Sequence, residues 1–118
     1  MDKASPMKIL IVDDNANIRR ALKSLLADGD TEFVECEDGA DALAAYIVHQ
    51  PDFVLMDVAM PKMDGITATA QVIQAVPTAR IIILTNYAHE DMRQAAQTAG
   101  ARGYVLKDNL LDLRQQLN

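Results

Sequence analysis

The chain has 118 residues, of which 50% are hydrophobic, and its 17 acidic against 11 basic residues give a net charge of −6. This length suits one compact domain, the acidic balance disfavours a nucleic-acid-binding surface, and no stretch approaches the ~20 apolar residues of a membrane span. The single cysteine, Cys36, excludes an intramolecular disulfide and favours a reducing compartment, so we expect a cytoplasmic domain. The N-terminal apolar run Ile9–Val12 is only four residues long, so we expect no signal peptide.

The first half of the chain predicts two strands and two helices behind a short tail. Residues 1–6 carry no periodic pattern, so we expect a flexible N-terminal tail ahead of one domain over residues 7–118. The continuous apolar run Lys8–Val12 is typical of a strand buried on both faces, and an apolar stripe over 18–26 predicts a helix. Residues 31–36 alternate as an edge strand does, and a helix begins at Asp38-Gly39 and ends before Pro51.

The second half repeats this alternation three times. Its strands are continuous apolar runs at 53–56, 81–84 and Gly103–Leu106. Helices are expected over 66–76, over Glu90–Ala99 with Gly100 as the C-terminal cap, and over 109–117, where about two turns fit. Five strands alternating with helices predict an α/β fold, a doubly wound five-stranded parallel sheet with helices on both faces.

Polar side chains with chemical capability follow four of the five predicted strands. Asp13-Asp14 come after the first strand, Asp57 after the third, Thr85 after the fourth and Lys107 after the fifth. Each alone has an ordinary structural explanation, such as a helix cap, a turn, a strand residue or a solvated charge. Because parallel strands bring their carboxyl ends to one edge, where doubly wound sheets bind ligands, we expect these residues to converge.

The expected cluster suits phosphoryl transfer to a carboxylate. Three carboxylates at one edge repel each other unless a cation compensates, and Mg²⁺ binds carboxylates, water and phosphate oxygens. A lysine and a threonine hydroxyl can both donate to phosphoryl oxygens. An aspartate beside the metal can act as the nucleophile and form an aspartyl phosphate.

These residues resemble the receiver domain of two-component response regulators over residues 7–117. The resemblance is carried by Asp13-Asp14, Asp57-Val-Ala-Met-Pro61-Lys-Met-Asp-Gly65, Thr85 and Gly103-Tyr-Val-Leu-Lys107. It implies a flavodoxin-like sheet with strand order 2-1-3-4-5. It also implies a phosphorylation-activated switch, which is not a turnover enzyme beyond self-phosphorylation and autodephosphorylation. The phosphoryl donor would be a sensor histidine kinase or a histidine phosphotransfer protein.

The resemblance also assigns roles to individual residues. Asp57 would be the phospho-acceptor, and Asp13, Asp14, Asp57 and the backbone carbonyl of Ala59 would hold Mg²⁺, with Mn²⁺ as a substitute. Thr85 and Lys107 would contact the phosphoryl oxygens. Tyr104 would be the switch aromatic that turns inward as the Thr85 hydroxyl moves. The fourth helix, fifth strand and fifth helix would form the output face.

The sequence departs from the family pattern at several positions. Asp108 follows Lys107 where many receivers have proline, a pairing similar to receivers that precede LuxR-type helix-turn-helix domains. Asn86 replaces a small residue and Ala59 a polar one, so we expect Ala59, Asn86 and Tyr87 to modulate the lifetime of the phosphoryl group. The short last helix suggests either a truncated chain, whose C-terminal output domain is missing, or a stand-alone receiver with a downstream protein partner. A phosphorylation-dependent homodimer is a further expectation, with no direct binding to nucleic acid or membrane.

Three other classes of protein remain as alternatives. A haloacid-dehalogenase-like phosphatase would need Asp-x-Asp after the first strand, where this chain has Asp13-Asp14-Asn15. A flavodoxin-like nucleotide binder would need a phosphate loop there, and two aspartates repel phosphate. A degenerate receiver would keep the fold as a docking module only. We also expect His49, His89 and the acidic segment 35–38 to be solvated.

Overall fold

The computed structural model describes residues 6–117 and shows a five-stranded parallel sheet. Its strands are β1 (Lys8–Val12), β2 (Glu32–Cys36), β3 (Phe53–Asp57), β4 (Ile81–Thr85) and β5 (Gly103–Leu106). The order across the sheet is β2-β1-β3-β4-β5, with every neighbouring pair parallel. This confirms the expected fold class and strand order, and it places β2 at an edge as its alternating pattern predicts.

Within residues 6–117, five α-helices connect and cover the strands. They are α1 (Ala16–Leu26), α2 (Ala42–His49), α3 (Gly65–Ala75), α4 (Glu90–Ala99) and α5 (Leu111–Gln116). Single 3₁₀ turns at Gly39–Asp41 and Lys107–Asn109 precede α2 and α5. The expected helix from Asp38-Gly39 is therefore a 3₁₀ turn followed by a short α-helix.

The sheet separates two hydrophobic cores, because side chains of one strand point alternately to its two faces. One core packs α2, α3 and α4 against residues such as Leu10, Val54 and Ile83. The other packs α1 and α5 against residues such as Ile11, Leu55 and Leu84. Helices on both faces leave the interior strands fully buried, which explains their continuous apolar runs.

The ends of the elements agree with the sequence patterns to within a few residues. β3 and β4 each extend one residue further than expected, so Asp57 and Thr85 are the last residues of their strands. The Asn15 side chain caps α1 by accepting from the backbone N–H groups of Asn17 and Ile18. Gly100 ends α4 in the left-handed region with φ of 105°, as the sequence predicts.

Most of the expected N-terminal tail, residues 1–5, lies outside the described residues, and Pro6 is exposed. Within residues 6–117, no helix has the length and apolar character that a bilayer crossing requires.

Candidate functional site

Three carboxylates converge where β1 and β3 end side by side in the sheet. Asp13 and Asp14 follow β1, and Asp57 is the last residue of β3. One oxygen from each side chain lies within 4.8 Å of the other two, in an arrangement able to hold a metal ion. Asp13 and Asp57 are buried while Asp14 is exposed, so the cluster opens to solvent on the Asp14 side.

Lys107, which follows β5, is the cation that faces this cluster. Its Nζ lies 2.9 Å from Asp13 Oδ2 and 3.0 Å from Asp57 Oδ1. The lysine side chain is 11% exposed and its two partners are 2% and 8% exposed. Solvent therefore screens these ion pairs weakly, and one lysine neutralises only part of the charge of three carboxylates.

Asp13 retains unused acceptor capacity, which makes it a suitable metal ligand. Its Oδ1 accepts the backbone N–H of Asn15 at 2.8 Å. Its buried Oδ2 accepts no well-aligned hydrogen bond among the described residues, although the Lys107 ammonium lies within ion-pair distance. The attraction between charges depends little on angle, so Lys107 and Asp13 attract each other without a well-aligned hydrogen bond. Oδ2 therefore keeps a lone pair that could bind a hard cation such as Mg²⁺.

The pKa values of Asp57 and Lys107 are both raised, for different reasons. Burial raises the pKa of Asp57; the ion pair with Lys107 opposes this rise, and the charge of Asp13 adds to it. For Lys107, burial alone would lower the pKa, but the contacts with Asp13 and Asp57 outweigh burial and raise it. Lys107 is therefore charged at neutral pH, whereas the ionised form of Asp57 is energetically costly.

The loop between β3 and α3 is closed tightly behind Asp57. The backbone N–H of Gly65 donates to the carbonyl of Val58 at 2.8 Å. A Cβ at Gly65 would overlap the carbonyl oxygen of Asp57, so only glycine allows this approach. Asp64 caps α3 by accepting from the backbone N–H groups of Ile66 and Thr67. Ala59 lies exposed in this loop.

Thr85 and Tyr104 lie at the end of β4 and within β5, and their hydroxyls contact the β4–α4 segment. Thr85 Oγ1 accepts the backbone N–H of Tyr87 at 3.2 Å and donates to Met92 Sδ at 3.8 Å. Tyr104 donates its hydroxyl to the Tyr87 carbonyl at 2.6 Å, and the Arg93 guanidinium lies 4.5 Å from its ring centre. Both hydroxyls therefore contact the same loop residue, Tyr87, and neither is hydrogen-bonded to Asp57.

The structure thus brings together four of the five polar residues that the sequence places at the ends of the strands. Asp13, Asp14, Asp57 and Lys107 form one cluster. Asn86 and Tyr87 are exposed in the loop after Thr85, where the Tyr87 ring stacks on His89. His49 and His89 are exposed, as expected.

The expectation that residues 35–38 form a solvated loop is only partly right, because Glu35 and Glu37 are exposed but Glu35 belongs to β2 and Asp38 is buried. Glu35 lies in β2 and forms ion pairs with Arg19 at 2.9 Å and Lys23 at 2.8 Å. Asp38 is only 6% exposed. Its carboxylate accepts backbone N–H groups from Ala40, Lys62 and Met63. The Asp38-Gly39 pair signals a local cap, but nothing in the sequence spacing signals the two distant partners.

Comparison with known proteins assigns this fold and site to a family. The sequence profile of the response regulator receiver domain matches residues 9–118. The chain belongs to the response regulator receiver domain family. This receiver is 43% identical over 101 residues to the chemotaxis protein CheY of Bacillus subtilis (strain 168). The aligned residues cover 85% of the chain and 84% of CheY.

The receiver also matches part of a longer regulator and a solved structure. The uncharacterized transcriptional regulatory protein YhcZ of Bacillus subtilis (strain 168) is 43% identical over 104 residues, which cover 86% of the chain and 49% of YhcZ. The chain thus spans about half the length of that relative. The crystal structure of response regulator protein TrrA from Thermotoga maritima in complex with Mg²⁺-BeF has a TM-score of 0.85 and 31% identity, covering 94% of this chain and 96% of TrrA.

Family membership establishes the general function of the receiver. Receiver domains are phospho-acceptor switches of two-component signalling, they interact with histidine kinases, and they bind Mg²⁺ in an acidic pocket. The carboxylate cluster at the ends of β1 and β3 has the charge and the oxygen ligands for such a pocket. The chain is therefore a phosphorylation-dependent signalling switch.

Proposed function

We propose that Asp57 of this receiver accepts the phosphoryl group from a histidine of a sensor kinase or of a histidine phosphotransfer protein. The observation that carries this proposal is the position of its carboxylate, which is buried 3.0 Å from Lys107 within a cluster of three carboxylates. Asp14 is exposed, and the two oxygens of Asp13 each have a partner, Oδ1 the backbone N–H of Asn15 and Oδ2 the Lys107 ammonium. Asp57 is buried and makes both of its corresponding contacts through Oδ1.

The hydrogen bonds of Asp57 suggest which oxygen reacts. Oδ1 accepts the backbone N–H of Val58 at 2.9 Å and faces Lys107. Oδ2 has no hydrogen bond among the described residues and is the proposed nucleophile. It forms a bond to phosphorus while the phosphorus–nitrogen bond of the donor breaks. The electron pair leaves with the imidazole nitrogen, which takes a proton from solvent, and Lys107 then pairs with a phosphoryl oxygen.

Asp13, Asp14, Asp57 and the backbone carbonyl of Ala59 are the proposed ligands of Mg²⁺, or of Mn²⁺ in its place. The fit rests on three carboxylate oxygens within 4.8 Å of one another and on the unused acceptor capacity of Asp13 Oδ2. A bound Mg²⁺ supplies positive charge that offsets carboxylate repulsion and attracts phosphoryl oxygens.

Thr85 and Tyr104 are the proposed switch pair. Thr85 also joins Lys107 as a donor to the phosphoryl group, and a turn of its hydroxyl toward Asp57 would break its present contacts with Tyr87 and Met92. Because Tyr104 is also bonded to Tyr87, that motion would reach the face formed by α4, β5 and α5. Exposed Ala59, Asn86 and Tyr87 are proposed to set the lifetime of the phosphoryl group by controlling access of water.

The remaining parts of the proposal concern partners and setting. A downstream protein or a C-terminal output domain would read the α4–β5–α5 face, and phosphorylation would promote a homodimer through it. No direct binding to nucleic acid or membrane is proposed, and the net charge of −6 supports this. The proposed setting is cytoplasmic, and the proposed chemistry is limited to self-phosphorylation and autodephosphorylation.

The test is incubation with a small-molecule phosphodonor, followed by measurement of the intact mass. The wild-type chain should gain one phosphoryl group with Mg²⁺ and almost none with EDTA. Asp57→Asn should gain none. Asp28→Asn, which changes an exposed aspartate in the loop between α1 and β2, should behave as the wild type. Equal uptake by Asp57→Asn would refute the assignment.

A further inference from the structure

Asp38 makes an unusual set of bonds for an aspartate outside the carboxylate cluster. It precedes the 3₁₀ turn at Gly39–Asp41 and is only 6% exposed. Its Oδ1 accepts the backbone N–H groups of Ala40 at 2.9 Å and Met63 at 3.0 Å. Its Oδ2 accepts the backbone N–H of Lys62 at 2.9 Å. One carboxylate thus satisfies three backbone donors.

Two of these bonds join separate loops. Lys62 and Met63 lie in the β3–α3 loop, 24 and 25 residues from Asp38 along the chain. Within residues 6–117, the only other side chain from outside this loop that bonds to its backbone is Asp57, which accepts from the adjacent Val58. The remaining anchors are local: the bond from Gly65 to Val58 at the base, and the cap of α3. Asp38 therefore fixes the part of the loop that its local bonds leave unanchored.

Gly39 supports the same contact by packing rather than by charge. A Cβ on Gly39 would lie 2.6 Å from the carbonyl oxygen of Met63 and 3.0 Å from the Cβ of Ala68. The β3–α3 loop thus rests directly on the backbone of the 3₁₀ turn. A side chain here would have to displace a backbone carbonyl, which moves less easily than the end of a side chain.

We propose that Asp38 is a positioning residue for cation binding and phosphoryl transfer. Through the amides of Lys62 and Met63 it holds the β3–α3 loop in place, and with it the backbone of Ala59 and the carboxylate of Asp57. The inference rests on the proposed function, because its effect is exerted on the proposed metal and phosphoryl site. Positioning of this kind matters since ligands and nucleophiles lose activity when their supporting contacts are loosened.

The charge of Asp38 strengthens these bonds but also complicates the test. The backbone N–H groups of Ala40 and Lys62 lower the pKa of Asp38, so its carboxylate is ionised at neutral pH. Asp38 lines a groove of about 510 Å³ together with Asp14 and Asp41. Removing its charge would therefore weaken cation attraction even without any movement of the loop, and a control for charge is needed.

The test compares four variants of the full chain. Asp38→Ala removes all three bonds, whereas Asp38→Asn keeps an oxygen for Ala40 and Met63 and presents an amide N–H₂ to Lys62. Gly39→Ala disturbs the same contact without changing any charge. Asp41→Asn is the charge control, because Asp41 is exposed in the same groove and its side chain makes no cap bond. The measurements are hydrogen exchange of the Lys62 and Met63 amides, the Kd for Mg²⁺, and the phosphorylation rate at saturating Mg²⁺.

We expect Asp38→Ala to expose both amides to exchange, to raise the Kd for Mg²⁺ by about tenfold, and to slow phosphorylation even at saturating Mg²⁺. Asp38→Asn should give a smaller change with faster exchange mainly at Lys62, and Gly39→Ala should change the Kd in the same direction. Asp41→Asn should raise the Kd by no more than about twofold, and this effect should vanish in high salt.

The proposal is overturned if the amides of Lys62 and Met63 become exposed while the Kd and the saturated rate stay at wild-type values. It is also overturned if Asp41→Asn matches Asp38→Ala, because charge alone would then explain the effect. Should Asp38→Ala not fold, Asp38→Asn and Gly39→Ala decide the question. A wild-type chain that neither binds Mg²⁺ nor becomes phosphorylated would instead contradict the proposed function, so the two failures are distinct.

Discussion

Replacing Asp57 with asparagine should stabilise the receiver at neutral pH when no divalent cation is present. Burial and the charge of Asp13 raise the pKa of Asp57 despite its ion pair with Lys107. A carboxyl whose pKa is higher in the folded state favours folding below its unfolded pKa. That contribution is lost as pH rises through the folded pKa. Ionised Asp57 therefore opposes folding at neutral pH, and asparagine removes that cost.

The magnitude follows from the contacts of the Asp57 carboxylate. At 3.0 Å from Lys107 Nζ, the attraction is about 5.5 kcal/mol with an effective dielectric constant of about 20. Repulsion from Asp13 across at most 4.8 Å is about 3.5 kcal/mol or more, and desolvation adds several kcal/mol. Asparagine can keep an oxygen facing both Val58 and Lys107, so part of the attraction survives. We expect a net stabilisation of about 1–3 kcal/mol, or about 4–12 °C in Tm.

The assay is thermal unfolding of wild type and Asp57→Asn in EDTA, followed by circular dichroism over a series of pH values. The difference in Tm should be small near about pH 3, below the unfolded-chain pKa of about 3.9, where residue 57 is mostly neutral in both proteins, and should grow toward neutral pH. Excess Mg²⁺ should narrow the difference, because the wild type gains more from the cation. An Asp57→Asn variant that melts at or below the wild-type temperature at neutral pH in EDTA would refute the reasoning.

Three further predictions concern single contacts. Lys107→Met should cost about 3–5 kcal/mol in EDTA by chemical unfolding, since it leaves two buried carboxylates without a cation, and an unchanged midpoint would contradict this. The neighbours Lys23 and Arg19 lower the pKa of Glu35 in the folded protein. Ionised Glu35 therefore stabilises the fold above its unfolded-state pKa, and this contribution is lost as pH falls through its folded-state pKa. Glu35→Gln should therefore cost under about 1 kcal/mol at neutral pH and nothing in acid, as urea melts at the two pH values can show. Tyr104→Phe, which loses the bond to the Tyr87 carbonyl, should cost about 0.5–1.5 kcal/mol and speed hydrogen exchange in the β4–α4 loop, whereas unchanged exchange would show that the bond does not hold it.

The fold was largely predictable because its strands carry a strong physical signal. Strands covered on both faces must be apolar throughout, and β1, β3 and β4 show this pattern. The boundaries were less certain, since Asp57 and Thr85 break the apolar runs but still continue the backbone pairing of β3 and β4. The start of α2 differed because a 3₁₀ turn separates Asp38 from the α-helix.

The carboxylate cluster was predictable for a related reason. Parallel strands place their carboxyl ends at one edge, so the residues that follow them must lie near each other wherever they stand in the sequence. The contacts of Asp38 were not predictable in this way. Its partners are backbone N–H groups of the β3–α3 loop, which every sequence supplies, and only the packing of that loop on Gly39 brings them within reach.

The same limit applies to the contacts of Tyr104. The sequence places this residue in β5, but its bond to the Tyr87 carbonyl and its contact with Arg93 depend on how α4 and its preceding loop pack beside the strand. Side-chain types and spacing therefore predicted which residues gather at the sheet edge. The contacts that hold the surrounding loops depend on tertiary packing.

The most direct test of the central assignment is to locate the phosphoryl group on the chain. Protein treated with a small-molecule phosphodonor and Mg²⁺ is reduced with borohydride, which converts an aspartyl phosphate to homoserine, and its peptides are sequenced by mass spectrometry. We expect homoserine at position 57 in the Mg²⁺-treated sample and unmodified Asp57 in the EDTA sample. Homoserine at position 13 or 14 with Asp57 intact, or labelling that is equal with and without Mg²⁺, would contradict the assignment.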